Sequence, residues 1–105
     1  MVMTAIQQAI RKAARSTCRY RVGAVGFDAK GNVVCVTNNH PQLRREGGSA
    51  HAEMRLMNRY GRRIRTIMIC RVNRTGDLLP IAPCKTCMKS AERLGIKILS
   101  VEEVK

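Results

Sequence analysis

The segment from Ile64 to Val101, IRTIMICRVNRTGDLLPIAPCKTCMKSAERLGIKILSV, decides the fold. Ile64 to Val72 is dense in β-branched and apolar side chains and reads as a strand. Asn73 to Ala82 has no apolar period and contains Gly76-Asp77, which is loop chemistry. Pro83 then opens a helix whose inner face is Cys84, Cys87, Met88, Ala91 and Leu94, and Gly95 stops it. Ile96, Ile98 and Val101 make a last strand before the charged tail Glu102 to Lys105.

The residues before this segment extend the alternation. Ile6, Ala9, Ile10, Ala13 and Ala14 recur at helical spacing within residues 4–17, with Arg11, Lys12 and Arg15 turned outward. Arg21 to Phe27 and Val33 to Thr37 are β-rich, and Asp28-Ala-Lys-Gly31-Asn32 between them is turn chemistry, so the pair reads as a hairpin. Residues 38–49 read as a loop. A second helix begins near His51 and buries Glu53, Leu56, Met57 and Tyr60. The order α-β-β-α-β-α-β predicts an α/β domain in three layers, α-β-α, with about four strands.

At 105 residues one domain, spanning residues 1–105, is expected. With no Trp and only Tyr20, Phe27 and Tyr60 as aromatics, the core must be aliphatic. No apolar run approaches the ~18–20 residues that span a bilayer, so the expectation is a soluble cytoplasmic protein. Five cysteines, two of them in Cys84-x-x-Cys87, make a disulfide scaffold the weaker reading. Twenty Lys and Arg against seven Asp and Glu give a formal charge of +13, beyond what solubility asks for. A polyanionic partner is implied.

Two short motifs bear chemistry: His51-Ala52-Glu53 at the start of the second helix, and Pro83-Cys84-Lys85-Thr86-Cys87 at the start of the third. Cysteines three apart point to one side of a helix, and the N-terminal N–H groups and dipole favour thiolates, the form that zinc binds. His51 adds an imidazole nitrogen. Three protein ligands leave a fourth tetrahedral position for water, the arrangement of a catalytic zinc. Glu53, two residues from His51 and on the buried stripe, is placed to move protons without binding the metal.

His-x-Glu followed, after a strand, by Pro-Cys-x-x-Cys resembles the signature of the cytidine deaminase superfamily. The order of elements fits too, so the resemblance covers nearly the whole chain. It implies a zinc-dependent hydrolytic deaminase, with His51, Cys84 and Cys87 as ligands and Glu53 as acid and base. It also places Asn39 where many members contact the sugar or base. The backbone of Ala52 and the carbonyl of Ala82 fall where members read the exocyclic amine and the attacked ring. Free-cytidine deaminases generally have Cys at the position of His51, whereas deoxycytidylate, tRNA adenosine and polynucleotide deaminases generally have His. Members generally have a fifth strand; without it the last strand is a sheet edge, which a homo-oligomer could cover or the charged tail could keep from pairing.

Competing readings have weaker support. A redox Cys-x-x-Cys belongs after the first strand of a thioredoxin-like pattern, and here it follows the third. A structural four-ligand zinc site needs Cys70 or His40, neither with ligand spacing to the pair. His40 is instead the candidate for stacking on a base, against simple exposure in its loop.

From Met54 to Gly76 there are seven arginines and no acidic residue. A solvated helix face normally mixes signs, so Arg55, Arg59, Arg62 and Arg63 are candidates for phosphate contacts. The expected substrate is therefore cytosine in single-stranded or flipped-out DNA or RNA, with one base in the pocket and few aromatics for stacking. A free nucleotide such as deoxycytidylate, or cytidine, adenosine in tRNA, and a non-catalytic zinc-containing nucleic-acid-binding module are the alternatives. Glu53 argues against the last, since a binding module has no need of that carboxylate.

Overall fold

A computed structural model describes residues 4–17, 21–41, 49–50, 52–83 and 85–101. Helix α1 (Ala5–Ala14) leads to strands β1 (Arg21–Phe27) and β2 (Val33–Asn38), then the two-residue strands β3 (His40–Pro41) and β4 (Ser49–Ala50). Helix α2 (Ala52–Tyr60), β5 (Thr66–Val72), the short β6 (Leu78–Leu79), α3 (Lys85–Leu94) and β7 (Lys97–Val101) complete the order.

The sheet order is β2-β1-β5, with β6 and β7 both on the far side of β5. β1 pairs antiparallel with β2 and β5, whereas β7 runs parallel to β5. The four long strands are those expected from the sequence. The short fifth one lies inside the expected 73–82 loop, where Leu78 and Leu79 fold back on Val72 and Arg71. A tight turn makes this possible: Asn73 Oδ1 accepts from the Thr75 and Asp77 amides, and Gly76 takes φ 87°. The expected 38–49 loop likewise contains a pairing, His40 with Ala50 and Pro41 with Ser49.

The β1–β2 hairpin turns on Asp28, whose carboxylate accepts from the amides of Lys30 and Asn32. Those amide bonds, Asn32's first, hold its carboxyl below the ordinary range.

Side chains alternate between two apolar clusters, one on each face of the sheet. Ala24, Ile67 and Ile69 join Ala52, Leu56, Met57, Cys87 and Ala91, which places α2 and α3 on one face. Val25, Cys70 and Val72 join Ala9 and Ala13 of α1 on the other. The three-layer α-β-α arrangement expected from the sequence is what the chain adopts. The third helix differs in detail, because Met88 and Leu94, expected on its inner face, are exposed. α3 lies over β7, which among the described residues pairs only with β5, so only the narrow stripe of Cys87 and Ala91 meets the core.

α1 begins with a capping box in which Thr4 Oγ1 accepts from Gln7 N and Gln7 Oε1 accepts from Thr4 N. It docks against Gly23, where a Cβ would overlap the Ala9 carbonyl oxygen and stand 2.9 Å from Ala13 N. Both contacts are backbone, which cannot swing aside as a side chain could. Gly23→Val is therefore expected to cost on the order of 3 kcal/mol and to lower Tm by roughly 10–20 °C in a thermal melt. An unchanged Tm would mean that α1 docks elsewhere.

Candidate active site

Helix direction brings the two motifs together. α2 leads into the start of β5, and α3 crosses from the end of β5 to the parallel β7, so both helices run opposite to β5. Their N-termini accordingly lie at the end of the sheet where β5 finishes, the usual location of sites in open α/β sheets. Arg55 fastens the start of α2 there: its Nη1 donates to the Asn38 carbonyl at 2.7 Å, and Asn38 is the last residue of β2.

Glu53, in the first turn of α2, is 4% exposed. A carboxylate is favoured at that position by the helix dipole. Cys87, in the first turn of α3, is fully buried and packs in one cluster with Ala52, Glu53's neighbour. His51 and Cys84 lie outside the described residues.

Cys70, the strand cysteine considered as a fourth ligand, is on the opposite face of the sheet among Ala9, Ala13 and Val25. Burial pushes its thiol up to about 11, so it is a neutral apolar group at physiological pH. Sheet geometry thus separates the buried cysteines, one in the core beneath α1 and the other at the end shared with Glu53. His40 is described through its backbone pairing with Ala50.

Asn39 is buried, and its Oδ1 accepts from Ser16 Oγ at 2.6 Å and from Val22 N at 3.1 Å. Its amide donates to the Val22 carbonyl. These bonds tie the end of α1 to the start of β1, a structural task that sequence spacing gave no means of anticipating. Asn38 joins the same region by donating from Nδ2 to Lys12 O.

The arginines divide between the two ends of the sheet. Arg59, Arg62 and Arg63 are exposed at the C-terminal end of α2, away from Glu53. At 1.5 Å per residue, the nine-residue helix puts roughly 13 Å between its ends. Arg21, Arg71, Asn73 and Arg74 instead line a cleft at the end where β1 starts and β5 finishes. Ala82, also on the approach to α3, is exposed. Among the described residues no helix is long and apolar enough to cross a membrane.

The family model of the cytidine and deoxycytidylate deaminase zinc-binding region matches residues 1–103. The chain belongs to that family. Solved cytidine deaminases share its fold. One from Mycobacterium leprae is 22% identical with a TM-score of 0.60, the match covering 88% of this chain and 81% of that one. One from Mycobacterium tuberculosis is 24% identical with a TM-score of 0.58, covering 93% and 81%. At these identities the likeness is one of fold. No curated protein matches the chain.

Membership in this deaminase family identifies zinc as the metal and supports a hydrolytic deaminase of the cytidine or cytosine class. The chain's own residues fit that group. A buried thiol sits at one helix N-terminus, a buried carboxylate at the other, and the two helices share one packed cluster.

Proposed function

We propose that the chain hydrolyses the exocyclic amine of cytosine, giving uracil and ammonia, within a single-stranded nucleic acid. The observation that carries this reading is the meeting of two helix N-termini, one with buried Glu53 and the other with buried Cys87, at one end of the sheet. His51, Cys84 and Cys87 hold zinc, and Glu53 handles the protons.

When bound, zinc would supply a water whose pKa is lowered to roughly 7. Glu53 takes one proton from the attacking water and passes it to the ring nitrogen, then takes the remaining hydroxyl proton and passes it to the departing amine, which leaves as ammonia. Its burial keeps bulk water from exchanging those protons. The backbone of Ala52 and the carbonyl of Ala82 border the base where its amine leaves. One water is consumed, and the C4–N bond is replaced by a carbonyl.

The formal charge of +13 supports a polyanionic substrate over an uncharged nucleoside. The test is to incubate the zinc-loaded protein with cytosine-containing DNA and RNA oligomers, tRNA, deoxycytidylate and cytidine, and to read products by mass. Uracil in an oligomer is the expected result. Turnover of the monomers alone would replace the strand with a free nucleotide as substrate. Inosine formed from tRNA would move the activity to adenosine.

A further inference from the structure

We propose that the cleft lined by Thr17, Arg21, Arg71, Asn73 and Arg74 binds a phosphate ester of the cytosine nucleotide whose base enters the site, an inference that rests on the proposed deaminase function. The cleft is open, with a volume of about 720 Å³. That lies within the ~300–1,000 Å³ of small-molecule sites. Three guanidinium groups line it, and none of its described lining residues is acidic. Arginine presents a planar fork of donors that matches phosphate oxygens.

Both walls are braced. On one side, Thr17 follows Ser16, whose hydroxyl donates to Asn39, while Arg21 precedes Val22, which is bonded to the same asparagine through both its N–H and its carbonyl. On the other side, Arg71 and Val72 pair with Leu79 and Leu78, and Asn73 closes the intervening turn. The nearby carboxylate of Asp77 accepts from Thr75 Oγ1 within that turn. With the backbone of both walls already fixed, an entering anion has mainly the arginine side chains to order.

Location connects the cleft to the chemistry. Arg21 and Val72 are register partners at the end of the sheet where β5 finishes, and α2 and α3 start at that same end. The segment that begins at Arg71 runs through β6 and Ala82 to Pro83, on the approach to Cys87. Arg55 is at this end too, but its Nη1 is held on Asn38, and Arg59, Arg62 and Arg63 are at the far end of α2.

The test measures binding of a fluorescein-labelled oligodeoxycytidylate by anisotropy over a salt series, for the zinc-loaded wild type and for Arg21→Gln, Arg71→Gln and Arg74→Gln. Lys30→Gln and Lys97→Gln, exposed changes of equal charge at the opposite end of the sheet, are the controls. Each arginine variant is expected to bind roughly tenfold more weakly and to lower the salt slope by about 0.7, the loss of one phosphate contact on a single strand. The controls should stay close to wild type. Because Arg74 is exposed, its variant remains informative if Arg71→Gln fails to fold.

Competition with deoxycytidylate separates the sources of phosphate. Weakening for the oligomer alone assigns a phosphodiester, and equal weakening for both assigns a monophosphate. Arginine variants that bind like wild type, or controls that lose as much as they do, would overturn the proposal. If no uracil forms from any substrate, the deaminase reading fails while the binding data still decide the cleft.

Discussion

Replacing Glu53 by Gln is expected to reduce deamination by roughly 10²–10⁴-fold, the usual contribution of a positioned proton carrier. Glutamine keeps the shape and burial of the side chain but can neither accept a proton from water nor pass one to the ring. The variant should therefore fold like the wild type and retain one zinc per chain, as measured by circular dichroism and metal analysis. A rate within about threefold of wild type, with zinc still in place, would remove Glu53 from the chemistry. Loss of zinc together with activity would instead make Glu53 part of the metal's support.

The second large effect concerns the two cysteines that the sheet keeps apart. Cys87→Ser should release zinc and bring turnover down at least roughly a hundredfold, because removing one of three ligands disturbs both the metal and the water bound to it. Cys70→Ala, on the opposite face of the sheet, should keep stoichiometric zinc and near-normal turnover. Its cost is stability, about 1 kcal/mol for a small buried side chain. Metal content by mass spectrometry and turnover with and without a chelator check both variants. Zinc retained by Cys87→Ser and lost from Cys70→Ala would reverse the assignment. The raised thiol pKa of Cys70 agrees with an inert core group, since metal binding requires thiolate.

Most of the fold was legible because its cues are local. The helical stripe of Leu56, Met57 and Tyr60 and the β-rich Thr66 to Val72 each report their own element through a period of about 3.6 or 2. Asp28, Gly31 and Asn32 marked a turn through side chains and φ angles that need no distant partner. The β6 pairing has no signal in the sequence, because two leucines are too few to show alternation and their pairing depends on the Asn73 turn. Spacing alone directs Met88 and Leu94 inward, whereas their exposure depends on how much sheet lies beneath α3.

Within the proposed site, Glu53 and Cys87 stand out in the sequence because metal ligands and a proton carrier need particular residue types at fixed spacing. The sequence also established the excess of arginine, but gave no indication of which arginines stand together. Arg21 and Arg71 are fifty positions apart, and they meet only because β1 and β5 pair in a register that sets Arg21 beside Val72. Asn39 has a similar history, its bonds to Ser16 and Val22 joining elements that no local pattern relates. The sequence by itself determined the elements and their order and singled out the proposed reacting groups, because propensity, period and donor chemistry act over a few residues. Tertiary structure decided which buried cysteine shares Glu53's end of the sheet, which asparagine ties α1 to β1 and which arginines line one cleft, because strand register and helix direction act between residues far apart in the chain.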